Sequence, residues 1–144
     1  MPLGERSIRS LAGVHPDLVK VVLLAAATSP ITFIVTEGLR TLERQVILVS
    51  EGKSKTMRSR HLGPVSHAVD LAVVLDDGTI SWEKPTYRLL ASTVKMAAAE
   101  LGVPIEWGGE AFGTWFDGPH FQLPWKDYPA EAPNLNPEGQ VNET

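Results

Sequence analysis

The stretch HAVDLAVVL, residues 67–75, decides the fold, because it is a near-continuous apolar run of strand length that contains one carboxylate, Asp70. Such a run, rich in valine and bounded by turn residues, predicts a buried β-strand. Asp76-Asp77-Gly78 follows it and predicts a hairpin turn into residues 79–82. A buried charge needs a partner, so Asp70 is either paired with a buried arginine or bound to a metal ion.

Helices and further strands alternate with this strand along the chain. Apolar residues at helical spacing predict helices over residues 17–28, 42–49 and 86–101, and β-branched or aromatic runs predict strands over residues 31–36, 105–107 and 120–123. We therefore expect an α+β fold in which helices pack on a small, mainly antiparallel sheet. Residues 1–129 are expected to form one domain, and residues 130–144, rich in proline, asparagine and glutamate, a flexible tail.

The composition excludes several classes of function. The chain of 144 residues has no cysteine, so any metal must be bound by histidine or carboxylate side chains. A net charge of −4 argues against a nucleic-acid partner, and the most apolar stretch, residues 18–27, is too short to span a membrane. Basic residues before that stretch resemble an export signal, but His15-Pro16-Asp17 is more typical of a helix start, so no signal peptide is expected.

Histidines and aspartates fall together in two short stretches, residues 59–70 and 115–121, and each adjoins a predicted strand. Two imidazoles and one carboxylate are a typical ligand set for a catalytic zinc ion, which keeps a fourth position open for water. The metal lowers the pKa of that water toward about 7. Asp117 precedes the turn-forming pair Gly118-Pro119, which can bring its carboxylate beside His120 as a proton acceptor.

Five short motifs together resemble one known family: His15-Pro16-Asp17-Leu18, Thr36-Glu37-Gly38-Leu39-Arg40-Thr41, Ser59-Arg60-His61, Ala68-Val69-Asp70-Leu71 and Asp117-Gly118-Pro119-His120-Phe121. The chain resembles the zinc metallopeptidases related to D-alanyl-D-alanine carboxypeptidases, which share the hedgehog-like fold. Within them it is most similar to the phage endolysins of the L-alanyl-D-glutamate peptidase type. The likeness spans most of residues 14–124.

The resemblance implies a role for each matched residue. His61, Asp70 and His120 would bind one zinc ion, Asp117 would act as general base and acid, and Arg40 would stabilise the substrate or the oxyanion. Two departures from the family pattern stand out: Asp70 follows His61 by nine positions, a longer step than usual, and Ser66 stands where a glycine is expected. We expect the extra residues, near Gly63-Pro64, to bulge away from the metal.

Other side chains have both a functional and a structural interpretation. His67 is an alternative ligand, although strand alternation sends positions 67 and 70 to opposite faces. Arg58 and Arg60 are candidates for binding substrate carboxylates, or they belong to a solvated basic loop. Trp107 and Trp115 are candidates for a substrate-facing wall, or they are core residues, whereas Trp82 and Trp125 are expected to pack.

The resemblance implies a monomeric endolysin that hydrolyses the L-alanyl-D-glutamate bond of peptidoglycan stem peptides. It would be made in the cytoplasm of the host bacterium and would act on the cell wall to cause lysis, without inserting into the membrane. Two alternatives stay open. One is a D,D-carboxypeptidase or dipeptidase acting on D-alanine termini, and the other is a non-catalytic, zinc-containing module that binds peptidoglycan.

Overall fold

The computed structural model describes residues 3–54, 59–113 and 115–129. Within them the chain forms four helices and four strands, in the order α1 (Glu5–Ser10), α2 (Pro16–Thr28), β1 (Thr32–Glu37), α3 (Leu42–Ser50), β2 (Ala68–Val74), α4 (Lys84–Leu101), β3 (Glu106–Trp107) and β4 (His120–Gln122). None of these helices is both long enough and apolar enough to cross a membrane.

The four strands form one sheet in the order β1-β2-β4-β3, and every neighbouring pair is antiparallel. The strand that contains Asp70 is therefore central, as its apolar run predicts. Its register places Leu71 opposite Val35 and Asp70 opposite His120. The expected α+β fold with a small antiparallel sheet is confirmed.

The two faces of β2 have different roles. Val69, Leu71 and Val73 are at most 2% exposed and belong to the core, to which α2 and α4 contribute buried side chains. Burying a side chain of this size contributes about 1.5–3 kcal/mol. Because side chains alternate along a strand, this packing turns Asp70 to the opposite face. The core thus fixes the direction of the one carboxylate in the strand.

Local signals explain where the helices begin and end. Pro16 occupies the first turn of α2, and Nδ1 of His15 accepts a hydrogen bond from the backbone N–H of Asp17 at 3.0 Å. Thr41 caps α3 by accepting from the backbone N–H of Arg44 at 3.1 Å. At the end of α4, Gly102 adopts φ +69°, a conformation that favours glycine.

Two expectations were wrong, and one helix was not predicted. Residues 5–10, for which no helix or strand was predicted, form α1. The hairpin partner over residues 79–82 is reduced to a single bridge between Val74 and Ile80. Trp82 was expected to pack, but it is 76% exposed. The predicted tail, residues 130–144, and Arg58 lie outside the described residues, so the boundary at residue 129 stays a prediction.

Candidate metal centre and its cavity

Three side chains predicted as metal ligands meet on the sheet face opposite the core. Nε2 of His61 and Nδ1 of His120 each lie 3.2 Å from Oδ1 of Asp70. The three candidate ligand atoms all lie within 4.8 Å of one another. His67 is placed elsewhere, with its ring centroid 5.4 Å from that of His15. The geometry therefore groups positions 61, 70 and 120, and leaves the alternative ligand aside.

The backbone that follows β1 holds His61 in place. The N–H of Arg40 donates to the carbonyl of His61 at 2.8 Å, and Nδ1 of His61 lies 2.8 Å from the carbonyl oxygen of Gly38. A carbonyl only accepts, so Nδ1 carries the hydrogen and Nε2 keeps a lone pair toward Asp70. Pro64, in the segment between His61 and Asp70, is exposed. The greater length of this segment therefore does not prevent the two side chains from meeting.

A chain of hydrogen bonds orients the second imidazole. The side-chain amide of Gln122 donates to Oε1 of Glu106 at 3.2 Å, so its oxygen faces His120. Nε2 of His120 then donates to that oxygen at 2.8 Å, and Nδ1 keeps its lone pair toward Asp70. Such outer partners fix the tautomer and the ring orientation of metal-binding histidines.

The residues present fit a bound cation. The inner nitrogens of His61 and His120 and a carboxylate oxygen of Asp70 point their lone pairs at one small region, and lone pairs in contact repel unless a positive charge lies among them. Either an extra proton on an imidazole or a metal ion meets that need. A cluster of two imidazoles and one carboxylate is thus a site that a divalent metal ion can occupy.

The charges in the site shift its pKa values in opposite directions. Burial opposes ionisation of Asp70, but the two imidazoles outweigh it and hold its pKa well below the usual range. Burial would lower the pKa of His120, but the hydrogen bond and charge of Asp70 raise it. Burial raises the pKa of Asp117, and the negative charge of Asp70 adds to that effect. The site therefore favours positive charge beside Asp70.

Arg40 and Glu37 form a two-point ion pair at the wall of the site. The guanidinium reaches both carboxylate oxygens of Glu37, and its Nη1 donates to the side-chain oxygen of Gln45 at 2.6 Å. Nη2 lies 3.7 Å from Oδ2 of Asp70. Asp70 therefore contacts an arginine, which was one of the two partners considered from the sequence, as well as the two imidazoles.

Asp117 is held beside His120 by a tight contact with Gly108. The N–H of Asp117 donates to the carbonyl of Gly108 at 2.9 Å, and the N–H of Gly108 donates to the carbonyl of His120 at 2.8 Å. A Cβ on residue 108 would lie 2.3 Å from the carbonyl oxygen of Asp117 and 3.0 Å from Cβ of His120. Only glycine fits there without moving the turn that holds Asp117.

The cluster opens into a cavity of about 640 Å³. Asp117 lies on its wall together with Phe112 and Trp115 from the loop that joins β3 to β4. The ring of Phe112 lies 5.3 Å from that of His120. The described wall therefore contains Trp115, which was proposed from the sequence, and two aromatic residues that were not, Phe112 and Trp125.

Two residues that were predicted as candidates for substrate binding are buried. Trp107 does not line this cavity: it is 6% exposed, packs in the core and donates from Nε1 to the carbonyl of Gly118 at 2.8 Å. Arg60 does line the cavity but is 3% exposed, and it donates to the carbonyls of Leu123 and Tyr128 at 2.9 and 2.8 Å. Its guanidinium stacks on Trp125, 4.1 Å from the ring centroid. Arg60 is thus buried and bound to backbone carbonyls, and it does not belong to a solvated loop.

A small α+β domain that presents a His-Asp-His donor set at the floor of a cavity, with a second carboxylate nearby, has the form of a mononuclear metal-dependent hydrolase. The chain belongs to the phage L-alanyl-D-glutamate peptidase family, whose model matches residues 1–123. The resemblance to the phage L-alanyl-D-glutamate peptidases is confirmed, and so is the expectation of a peptidase.

Two relatives show how far the similarity extends. The L-alanyl-D-glutamate peptidase of Escherichia phage T5 is 28% identical over 134 residues, which cover 83% of this chain and 96% of that relative. The crystal structure of the Serratia marcescens L-Ala D-Glu endopeptidase ChiX superposes with a TM-score of 0.82 at 48% identity, over 90% of this chain and 95% of that one. The similarity thus covers nearly all of both relatives.

Proposed function

We propose that this chain is a zinc-dependent endopeptidase that hydrolyses the L-alanyl-D-glutamate bond of peptidoglycan stem peptides. The observation that carries the proposal is the convergence of His61, Asp70 and His120 within 4.8 Å at a cavity lined by Asp117. Both relatives are named for this bond. Neither is named for D-alanine termini, so the carboxypeptidase alternative gains no support.

Zinc is the metal that best suits the donor set. Two nitrogens and one carboxylate oxygen are the three-ligand pattern of catalytic zinc sites, and both outer imidazole nitrogens have carbonyl-type acceptors. When bound, zinc would polarise the scissile carbonyl as a Lewis acid and would lower the pKa of water, so that hydroxide is available as the nucleophile at neutral pH. His61, Asp70 and His120 would hold it.

Asp117 moves the proton in the proposed reaction. Its carboxylate accepts the proton of the attacking water and then gives it to the amine of the leaving D-glutamyl residue, so the peptide bond breaks without a covalent intermediate. The turn with Gly108 and His120 holds Asp117 at the cavity wall.

Arg40 is proposed to stabilise the negative charge that develops on the carbonyl oxygen. Its guanidinium lines the cavity and lies 3.7 Å from Asp70. The ion pair with Glu37 fixes its orientation in advance, so that no reorganisation is needed during the reaction. Trp115 is proposed as a wall for the peptide.

The cellular role that follows is release of phage progeny. We propose that the enzyme is made in the host cytoplasm and cuts the cell wall once it gains access to it. The partner is the stem peptide, and the acidic net charge of −4 gives no electrostatic reason for nucleic-acid binding.

Digestion of purified peptidoglycan tests the proposal. Metal-replete enzyme should release peptides with a new D-glutamyl amino terminus, as seen by mass spectrometry, and a chelator should abolish the release until zinc is restored. Asp117→Asn should lower the rate by about 10²- to 10⁴-fold while the zinc content stays at that of the wild type. Release of free D-alanine would show a carboxypeptidase instead, and zinc-loaded protein that binds the wall without cutting it would show a binding module.

A further inference from the structure

The cavity contains charges of both signs. Three carboxylates line it, those of Glu37, Asp70 and Asp117, and the described cationic residues that line it are Arg40, Lys53 and Arg60. A substrate with a negative group must find one of these cations to offset the repulsion of the carboxylates. The bonds that each cation already makes decide which of them is available.

Two of the three cations are already in use. Arg40 pairs with both oxygens of Glu37 and is proposed to face the carbonyl oxygen of the scissile bond. Arg60 donates through Nε and Nη2 to the carbonyl of Leu123, at 3.1 and 2.9 Å, and is 3% exposed. Its Nη1 lacks a hydrogen-bond partner among the described residues, but that atom is shielded from solvent. Arg40 is therefore used at the scissile bond and Arg60 is held by backbone carbonyls, which leaves neither guanidinium for a further carboxylate of the substrate.

Lys53, in contrast, is exposed and only weakly paired. Its side chain is 66% exposed, and its ammonium lies 3.6 Å from Glu51, whose side chain is 45% exposed. Pairs of this kind between solvated side chains are weak and exchange readily for another anion. The ammonium of Lys53 is therefore an accessible positive charge on the wall of the cavity.

The residue after Lys53 is connected to the candidate metal centre through a series of side-chain contacts. The neighbouring Ser54 accepts from the side-chain amide of Gln45 at 2.8 Å. Gln45 accepts from Nη1 of Arg40 at 2.6 Å, and Arg40 reaches Asp70 at 3.7 Å. Lys53 thus adjoins a series of side-chain contacts that ends at Asp70, and its own side chain lines the same cavity.

The chemistry of the proposed substrate supplies the anion. A D-glutamate whose amine is joined to L-alanine keeps two carboxyl groups, and a stem peptide continues from only one of them. The other is a carboxylate a few bonds from the scissile amide. We propose that Lys53 binds this carboxylate and so selects the D-glutamyl side of the bond; the inference rests on the proposed endopeptidase function.

A pair of matched substrates tests this role. One is a peptide with L-alanyl-D-glutamate and a free carboxylate, and the other carries the same carboxyl as a primary amide. Zinc-loaded wild type should cleave the carboxylate form with a kcat/KM about 3- to 10-fold higher, mainly through KM, and added salt should reduce the difference. Lys53→Gln should remove the preference, and Lys53→Arg should restore most of it.

Lys20→Gln is the matched control, because Lys20 is an exposed lysine of α2 and the substitution removes the same charge. It should keep the full preference. An unchanged preference in Lys53→Gln, or equal cleavage of both peptides by the wild type, would overturn the role of Lys53 and leave the endopeptidase function standing. Cleavage of neither peptide by zinc-loaded wild type would instead overturn the proposed function itself.

Discussion

Glu37 holds Arg40 through both carboxylate oxygens, with 2.6 Å from Oε1 to Nε and 2.8 Å from Oε2 to Nη2. Parallel bonds of this kind are stronger than a single contact and fix the plane of the guanidinium. The side chain of Arg40 is 8% exposed and that of Glu37 27%. Glu37 therefore sets the orientation of the arginine that lies against Asp70.

Glu37→Gln is expected to lower the free energy of unfolding by about 2–3 kcal/mol, because it leaves a largely buried guanidinium without its neutralising partner. Urea denaturation of the metal-free protein measures the change. Glu110→Gln removes an exposed carboxylate that pairs with Lys95 and should cost less than about 1 kcal/mol. Equal losses in the two variants would contradict a special role for the Glu37–Arg40 pair.

Gln122→Leu is expected to weaken metal binding by about 10- to 100-fold, because His120 loses the acceptor that fixes its tautomer. Competition with a chromophoric chelator measures the affinity. The double variant Gln122→Glu/Glu106→Gln exchanges the carboxylate and the amide and keeps an acceptor for His120, so it should recover most of the affinity. Wild-type affinity in Gln122→Leu would show that this hydrogen bond does not matter.

Gly108→Ala is expected to destabilise the protein by about 1–3 kcal/mol and to reduce activity, because the new methyl group overlaps the carbonyl oxygen of Asp117. Thermal unfolding and the peptidoglycan digest measure the two effects. Gly4→Ala adds the same methyl group where no atom lies within 4 Å and should behave as the wild type. Two indistinguishable variants would show that the turn at Asp117 tolerates a side chain at position 108.

His67 should make the stability depend on pH. Burial lowers its pKa, and the positive charges of Arg60 and His15 lower it further. The unfolded chain then binds the proton more tightly, so the stabilisation is complete above about pH 6.5 and is lost as the pH falls through the window below it. In urea titrations from pH 7.5 to 5, with conditions otherwise equal, His67→Gln should lose less stability than the wild type. Parallel curves would refute this.

The apolar patterns predicted most of the fold because burial decides it. The near-continuous apolar run around Asp70 indicated the central strand, and helical spacing indicated α2, α3 and α4. The short α1 was missed because six residues contain less than two turns of pattern. A strand over residues 79–82 would need more than the one bridge that Ile80 makes with Val74. The turn residues before it predict the reversal of the chain but not this further pairing.

For the candidate site, the metal ligands were predicted but the residues of the cavity wall were predicted only in part. The resemblance named His61, Asp70 and His120, and the structure brings them together. Composition could not tell Trp107 from Trp115, because the path of the loop between them decides which ring faces the core.

The supporting residues Glu37, Gln122 and Gly108 were not singled out. Gln122 and Gly108 act through contacts with other segments of the chain, whereas Glu37 acts on Arg40, three residues further on. The sequence signal for Glu37 was its spacing of three residues from Arg40 within one motif. Pairing of Gln122 with the adjacent strand, and the close approach at Gly108, are visible only once the chain is folded.

The register that sets Asp70 opposite His120 has a consequence for assembly. An ion held between them would fasten together two points that are 50 positions apart along the chain. The outer ribbon beyond that point, β4 with β3, contains only three and two residues, too few to persist by pairing alone. Binding of the ion should therefore stabilise the short outer strands of the sheet as well as complete the site.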